Sequence, residues 1–425
     1  MFSLPKKFFL CNKKVMALNF IWLFLLLTGF LIGFVKFTFL GDNQILSDIV
    51  NRIFDDAQTG FKLSLGLVAV LSFWLGIMKI GEKSGAVNFL AKALRPFLKR
   101  IFPKVPENHP AMGAMVMNIA ANMLGLDNAA TPMGLKAMRE LQELNPEKDT
   151  ASDAQIMFLV LNTSGLTIIP ISVITYRASL GAANPTDIFL PILLATFFST
   201  LGGLIFVAII QKIKLWDPVI IAYLGSLTAL VFILIFWLKD MPPQKLQIIS
   251  KNLTAVILLL IIAIFLISGI VKKINVYETF IEGAKDGFNV AVMIIPYLIA
   301  ILVAIGVFRV SGAMDWLIKA MKYIFSALHI NTDFVPALPT AFMKPLSGSG
   351  ARGMMIEACK TYGVDSFVAR VASTIQGSTD TTFYILAVYF GAVNIKKTRY
   401  AAIAGLFADF VGIIAAIIIA YIFFY

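Results

Sequence analysis

At 425 residues with 59% hydrophobic content, 14% charged residues and a mean hydropathy of +0.85, the chain is far too apolar for an ordinary soluble protein and reads as a polytopic membrane protein. A formal charge of +12 would suit nucleic acid in a soluble protein, but in a membrane chain basic loops set topology, so lipid is the expected partner and nucleic acid is excluded. Two cysteines, Cys11 and Cys359, and two histidines, His109 and His329, lie far apart and make no metal-ligand pattern, so no metal site is expected.

The basic start MFSLPKKFFLCNKK leads into an apolar run that is too long for a signal peptide and ends in no small-residue cleavage site. It predicts a start-transfer anchor over 17–40, with Lys6, Lys7, Lys13 and Lys14 on the cytoplasmic side. Further spans are expected at 62–81, 188–210, 218–238, 253–271, 288–308 and 400–424. Runs of about 20 apolar residues cover a hydrocarbon core of roughly 30 Å, and only helices satisfy their own backbone there.

Residues 56–101 align without a gap on 283–328 at a constant offset of 227: GF at 60–61 matches GF at 287–288, and SGA at 84–86 matches SGA at 311–313. After SGA, Val87, Leu90, Leu94, Phe97, Leu98 and Ile101 have their counterparts in Met314, Leu317, Met321, Ile324, Phe325 and Leu328. This three-and-four spacing, with lysines and arginines opposite, predicts a pair of interfacial helices.

Beyond them the copies keep one plan. An apolar arm (111–126, then 334–346) ends at a small-and-polar break, and a second arm follows (132–144, then 350–362). Such arms are too short to cross comfortably and are expected to form re-entrant hairpins. Next comes a long apolar segment broken at its middle, 154–176 by NTSG and 366–390 by QGSTDTT. Charge counts suggest that the copies are inverted: residues 79–108 carry seven basic against two acidic residues, whereas 306–333 carry three against two. The N-terminus is then cytoplasmic and the C-terminus external.

Broken helices expose N–H groups on one side and carbonyls on the other, and polar side chains at such breaks are costly without partners. Candidate substrate contacts in the first copy are Asn118, Asn122, Asn128 and Thr131, beside Asp127, and Asn162, Thr163 and Ser164 in the broken span. Thr131 followed by Pro132 also reads as a helix start. In the second copy, KPLSGSGARG supplies Lys344, Ser347, Ser349 and Arg352, with glycines that permit close backbone approach. QGSTDTT supplies Gln376, Ser378, Asp380 and Thr381; an ion pair of Asp380 with Lys344 or Arg352 is the competing structural reading.

MNIAANMLGLDNAATPMGLKAM with NTSG resembles spore maturation protein A, over roughly residues 50–210, and KPLSGSGARG with QGSTDTT resembles spore maturation protein B, over roughly 275–425. Both belong to the nucleoside-recognition, or gate, domain group shared with concentrative nucleoside carriers and the membrane part of ferrous-iron transporter B. The expected fold is all-α, with two inverted gate repeats at 50–214 and 275–425; the anchor at 1–49 and the linking transmembrane pair at 215–274 lie outside both resemblances. No GTPase loop and no Cys or His ligand in the broken spans point away from iron.

The expectation is a non-enzymatic, secondary-transporter-like protein of the cytoplasmic (inner) membrane. It would move a small polar, nucleoside-like or anionic solute by alternating access, without a resident cofactor and with sodium or a proton as the coupling cation. The alternatives are a non-transporting envelope scaffold or regulator of peptidoglycan or lipid processing, and a lipid flippase or scramblase. Its wide apolar faces suit lipid or a homo-oligomer alike.

Overall fold

A computed structural model describes residues 13–125, 127–239, 241 and 243–425. Lys6, Lys7 and Cys11 fall outside them, as do the side chains of Lys13 and Lys14. The described chain is helical almost throughout, and seven of its helices are long and apolar enough to cross a membrane. It is a multi-pass membrane protein.

Helix α1 (Lys13–Phe39) precedes the first series: α2 (Ile45–Ser84), α3 (Ala86–Ile101), α4 (Pro110–Met123), α5 (Asp127–Glu143), α6 (Asp153–Ser164), α7 (Ile171–Ser179) and α8 (Phe189–Gln211). A middle pair follows, of which one member is α9 (Pro218–Ile220), a π turn and α10 (Ser226–Lys239), and the other α11 (Pro243–Val271). The second series repeats the order of the first: α12 (Val276–Val310), α13 (Ala313–Ala327), α14 (Leu338–Met343), α15 (Gly348–Tyr362), α16 (Phe367–Ser378), α17 (Thr382–Ala392) and α18 (Ala401–Phe424).

The repeated SGA has a local cause. Gly85 and Gly312 adopt φ of +90° and +87°, left-handed values that a side chain would strain, and each turns a long helix into an amphipathic one. The long helices exceed the expected spans because their polar N-terminal portions, with Arg52 and Asp56 in α2 and Glu278 and Glu282 in α12, continue the helix instead of forming loops.

Equivalent helices pack side by side and antiparallel. Between α2 and α12, Gly60 faces Ile299 and Gly287 faces Ser72, two contacts that the offset of 227 interchanges. Gly306 against Asp56 and Gly283 against Lys79 form a second such pair. Small residues let these backbones approach, the usual basis of helix association in lipid. Between α8 and α18, Gly203 meets Ala408 and Gly412 meets Ser199. The middle pair is covered far less: the 218–237 span is 11% buried, so lipid is its natural surrounding.

The loops cross-link the two series. The stretch before α6 pairs with the stretch before α18, through Ala151 N–H to Lys397 O at 2.9 Å and Asp153 to Arg399 at 2.8 Å. The stretch before α8 meets the one before α16, where the fully buried Arg177 donates to Val364 O at 2.8 Å and lies 3.2 Å from Asp365 and 3.1 Å from Asp187.

Two boundaries differ from expectation. Helix α5 begins at Asp127, five residues before Pro132, so Thr131 is an exposed residue inside the helix and caps nothing at its start. Gly125, at φ +72°, makes the turn that precedes α5. In the second hairpin the first arm is a 3-10 turn (Val335–Ala337) and the short α14 rather than a continuous 334–346, because Pro336 and Pro339 each remove a backbone donor.

A candidate solute site where two helix breaks meet

The breaks between α6 and α7 and between α16 and α17 lie against one another. Asp380 N–H donates to Thr163 O at 2.7 Å, closing a carbonyl at the end of α6. Each hairpin also bonds the break of its own series: Ile168 N–H donates to Met123 O at 2.8 Å, and Phe383 N–H to Pro345 O at 3.1 Å. One continuous set of backbone contacts therefore runs from the first hairpin tip through both breaks to the second.

On the first side the polar groups are neutral and bond chiefly to one another. Asn122 Nδ2 donates to Asn162 Oδ1 at 2.7 Å, and Asn162 Nδ2 to Phe158 O at 2.8 Å. Asn118 is fully buried and donates to Ala130 O at 2.8 Å. Tyr389 of α17 reaches into this group from the other series: its hydroxyl donates to Asn162 Oδ1 at 3.2 Å and accepts from Asn118 at 3.3 Å, while its ring stacks on Phe158. Ser164 bonds back to Leu161 O, and Thr163 is buried with its hydroxyl unpartnered. The side chain of Asn128 lies outside the described residues.

The second side is charged. Lys344 is 4% exposed and donates to Gln376 O at 2.7 Å, near the carbonyl end of α16. Ser347 caps α15 by accepting from Gly350 N–H at 3.1 Å and lies 3.2 Å from Ser349 Oγ. Arg352 is half-buried and donates back to Gly348 O at 3.2 Å. Asp380 is exposed although its neighbours Ser378, Thr379 and Thr381 are buried, and its Oδ1 accepts from Thr381 N–H at 2.7 Å. The alternative reading, an ion pair with Lys344 or Arg352, is not among the described ion pairs. Each cation is turned to a helix carbonyl, and Asp380 stays exposed.

The family model for Gate, nucleoside recognition, matches residues 64–182 and 291–396, more than half of the chain. The chain belongs to this nucleoside-recognition family. It is 51% identical over 160 residues to spore maturation protein B of Bacillus subtilis (strain 168), covering 38% of this chain and 88% of that protein. It is 41% identical over 187 residues to spore maturation protein A of the same organism, covering 44% of this chain and 92% of that protein. Among solved structures, a variant of CNTnw in an outward-facing state overlaps 99% of this chain and 87% of that one, with a TM-score of 0.47 and 13% identity. CNTnw in an inward-facing substrate-bound state overlaps 94% and 90%, with a TM-score of 0.40 and 13% identity.

Three residues of this Gate protein's site carry weight that sequence reasoning missed. Tyr389 reads as one more aromatic in an apolar run. Thr382 and Asp409 form a pair, with Thr382 Oγ1 donating to Asp409 Oδ2 at 2.6 Å, and Asp409 is 1% exposed in the middle of α18. A lone carboxylate in the run AAIAGLFADFVGIIAAIIIA was the available signal.

Away from the breaks, His109, Glu140 and Glu143 come together at the base of the first hairpin, a grouping that their sequence separation hides. His109 Nδ1 accepts from Ala111 N–H at 3.2 Å as the cap of α4. In the neutral ring Nε2 then carries the proton, and the imidazole offers the glutamates a donor rather than a metal ligand.

Proposed function

We propose that this protein is a carrier of a small polar solute, nucleoside-like or anionic, which binds where the two helix breaks and hairpin tips converge. The observation that carries this reading is the hydrogen-bonded run Met123–Ile168, Thr163–Asp380, Pro345–Phe383, with the exposed Asp380 carboxylate at its centre. A lipid-embedded chain holds irregular backbone and an ionisable side chain at such a place when they line a hydrated path. Membership in a nucleoside-recognition family makes nucleosides the first solutes to test.

On this reading the gate halves are residues 50–214 and 275–425, joined by 215–274 and preceded by an anchor at 1–49. They are inverted in the cytoplasmic membrane, with the N-terminus inside and the C-terminus outside, and rocking of one against the other exposes the site alternately. Asn122 and Asn162 present amides that accept and donate, suited to a base or ribose. Arg352 and the Ser347–Ser349 turn suit an anionic group.

The test is a thermal-shift screen of purified protein with nucleosides and small anions, followed by uptake into proteoliposomes. A true ligand raises the unfolding midpoint of the wild type, and the rise is lost in Asn122→Ala and in Asp380→Asn. A ligand whose stabilisation both variants retain is bound elsewhere, and a screen with no ligand at all would favour a non-transporting envelope role.

A further inference from the structure

We infer that the Lys344 ammonium is this carrier's built-in cation, occupying the carbonyl end of α16 where a free sodium ion would otherwise couple to transport. The inference rests on the carrier reading above and concerns what drives it.

The last carbonyls of a helix have no partner within the helix, and the aligned peptide dipoles concentrate partial negative charge there. In broken-helix transporters such ends are where sodium ions or protons bind. Helix α16 ends at Ser378 in the interior of the bundle, and its Gln376 carbonyl accepts from Lys344 Nζ at 2.7 Å. The ammonium arrives on a buried side chain from the tip of the second hairpin, so hairpin and cation move together.

The surroundings are those of a cation. Gln376 Oε1 is a buried oxygen with no hydrogen-bond partner, and the buried oxygens of Thr379 and Asp409 lie near the end of α16 or beside it. Hard oxygen ligands of this kind suit an alkali or alkaline-earth ion as well as an ammonium. The charges acting on Lys344 are Asp380 and Asp409, opposed by Arg352. At the other break the corresponding place is also taken from within, since Thr163 O at the end of α6 accepts the Asp380 amide.

The consequence is a carrier whose native state binds no sodium at this end, and a variant that acquires such a site when the ammonium is removed. The experiment compares thermal unfolding of the full-length protein in detergent, in sodium chloride and in choline chloride at equal ionic strength. The wild type is expected to unfold at the same temperature in both. Lys344→Ala is expected to unfold lower in choline and to recover by about 2 °C or more in sodium, saturably.

Lys344→Met, which keeps most of the side-chain volume, is the companion variant should the alanine fail to fold, and it is expected to show a smaller sodium response. A wild type stabilised by sodium over choline overturns the inference by itself, whatever the variants do. Variants that fold but unfold identically in the two salts overturn it as well. Nucleoside shifts of the wild type are read separately, so a protein that ignores nucleosides while Lys344→Ala responds to sodium loses the proposed solute and keeps the cation assignment.

Discussion

The two hairpins follow one plan and are held by different chemistry. The first, α4 with α5, is fixed by neutral groups: Asn118 and Asn122 with Asn162 and Tyr389 near the tip, and Gln142, Asn145 and Gln155 at the base, where Gln155 Nε2 donates to Gln142 Oε1 at 2.8 Å. The second, α14 with α15, is fixed by charge. Glu357 of α15 lies 2.8 Å from both Arg52 of α2 and Arg309 of α12, and Lys360 lies 2.8 Å from Asp56. Amides can exchange partners at little cost, whereas buried ions hold one arrangement and fail badly when one partner is lost. The second hairpin is thus the one tied rigidly to the α2–α12 pair.

The largest expected effect breaks that tie. Glu357→Ala removes a carboxylate that is 1% exposed, leaving Arg52 with Asp56 alone and Arg309 with only the more distant Asp315 at 4.0 Å. A loss of about 2–3 kcal/mol is expected, below the cost of orphaning a fully buried charge because both arginines are partly exposed and Arg52 keeps Asp56. Chemical unfolding in mild detergent measures it. A loss under about 1 kcal/mol would mean that the cluster is solvated and that the contrast between the hairpins is not one of rigidity.

How far these arrangements could be read in advance differs residue by residue. The turn glycines Gly85 and Gly312 are visible because they repeat with their neighbours, and the breaks are visible because NTSG and QGSTDTT interrupt apolar runs. The ion cluster is not legible, since Arg52 and Glu357 are 305 residues apart and Asp56 looks like part of a polar approach to a span. Tyr389 is hidden for a related reason: in an apolar helix an aromatic declares a buried face, and only the packing shows that its hydroxyl enters the opposite half. Thr131–Pro132 misleads because a good local start signal lost to an earlier turn, made by Gly125.

A smaller effect sharpens the neutral side. Tyr389→Phe keeps the stack on Phe158 and deletes only the hydroxyl that joins Asn118 to Asn162. The expected cost is about 1 kcal/mol, in line with a single hydrogen bond between helices in lipid. In a double-mutant cycle with Asn162→Ala the two changes should be coupled by several tenths of a kcal/mol, because both abolish the same bond. Additive effects would show that Tyr389 acts through its ring alone.

The smallest effect concerns the outer end of α6, where the neutral side of the molecule borrows one ionic contact. Burial alone would raise the Asp153 carboxyl, but hydrogen bonds from Lys104 and Arg399 outweigh it and hold the group below its ordinary value. A carboxyl depressed in the folded state contributes stability above its unfolded pKa of about 3.9, and that contribution fades as pH falls through the lower folded value. The stability difference between wild type and Asp153→Asn should therefore be constant from pH 7 down to about 5 and shrink below about pH 4. A difference that grew on acidification would mean the carboxyl is protonated more readily in the folded protein. The link between the stretch before α6 and Arg399 would then be carried by Ala151 O, which accepts from Arg399 at 3.0 Å, rather than by charge.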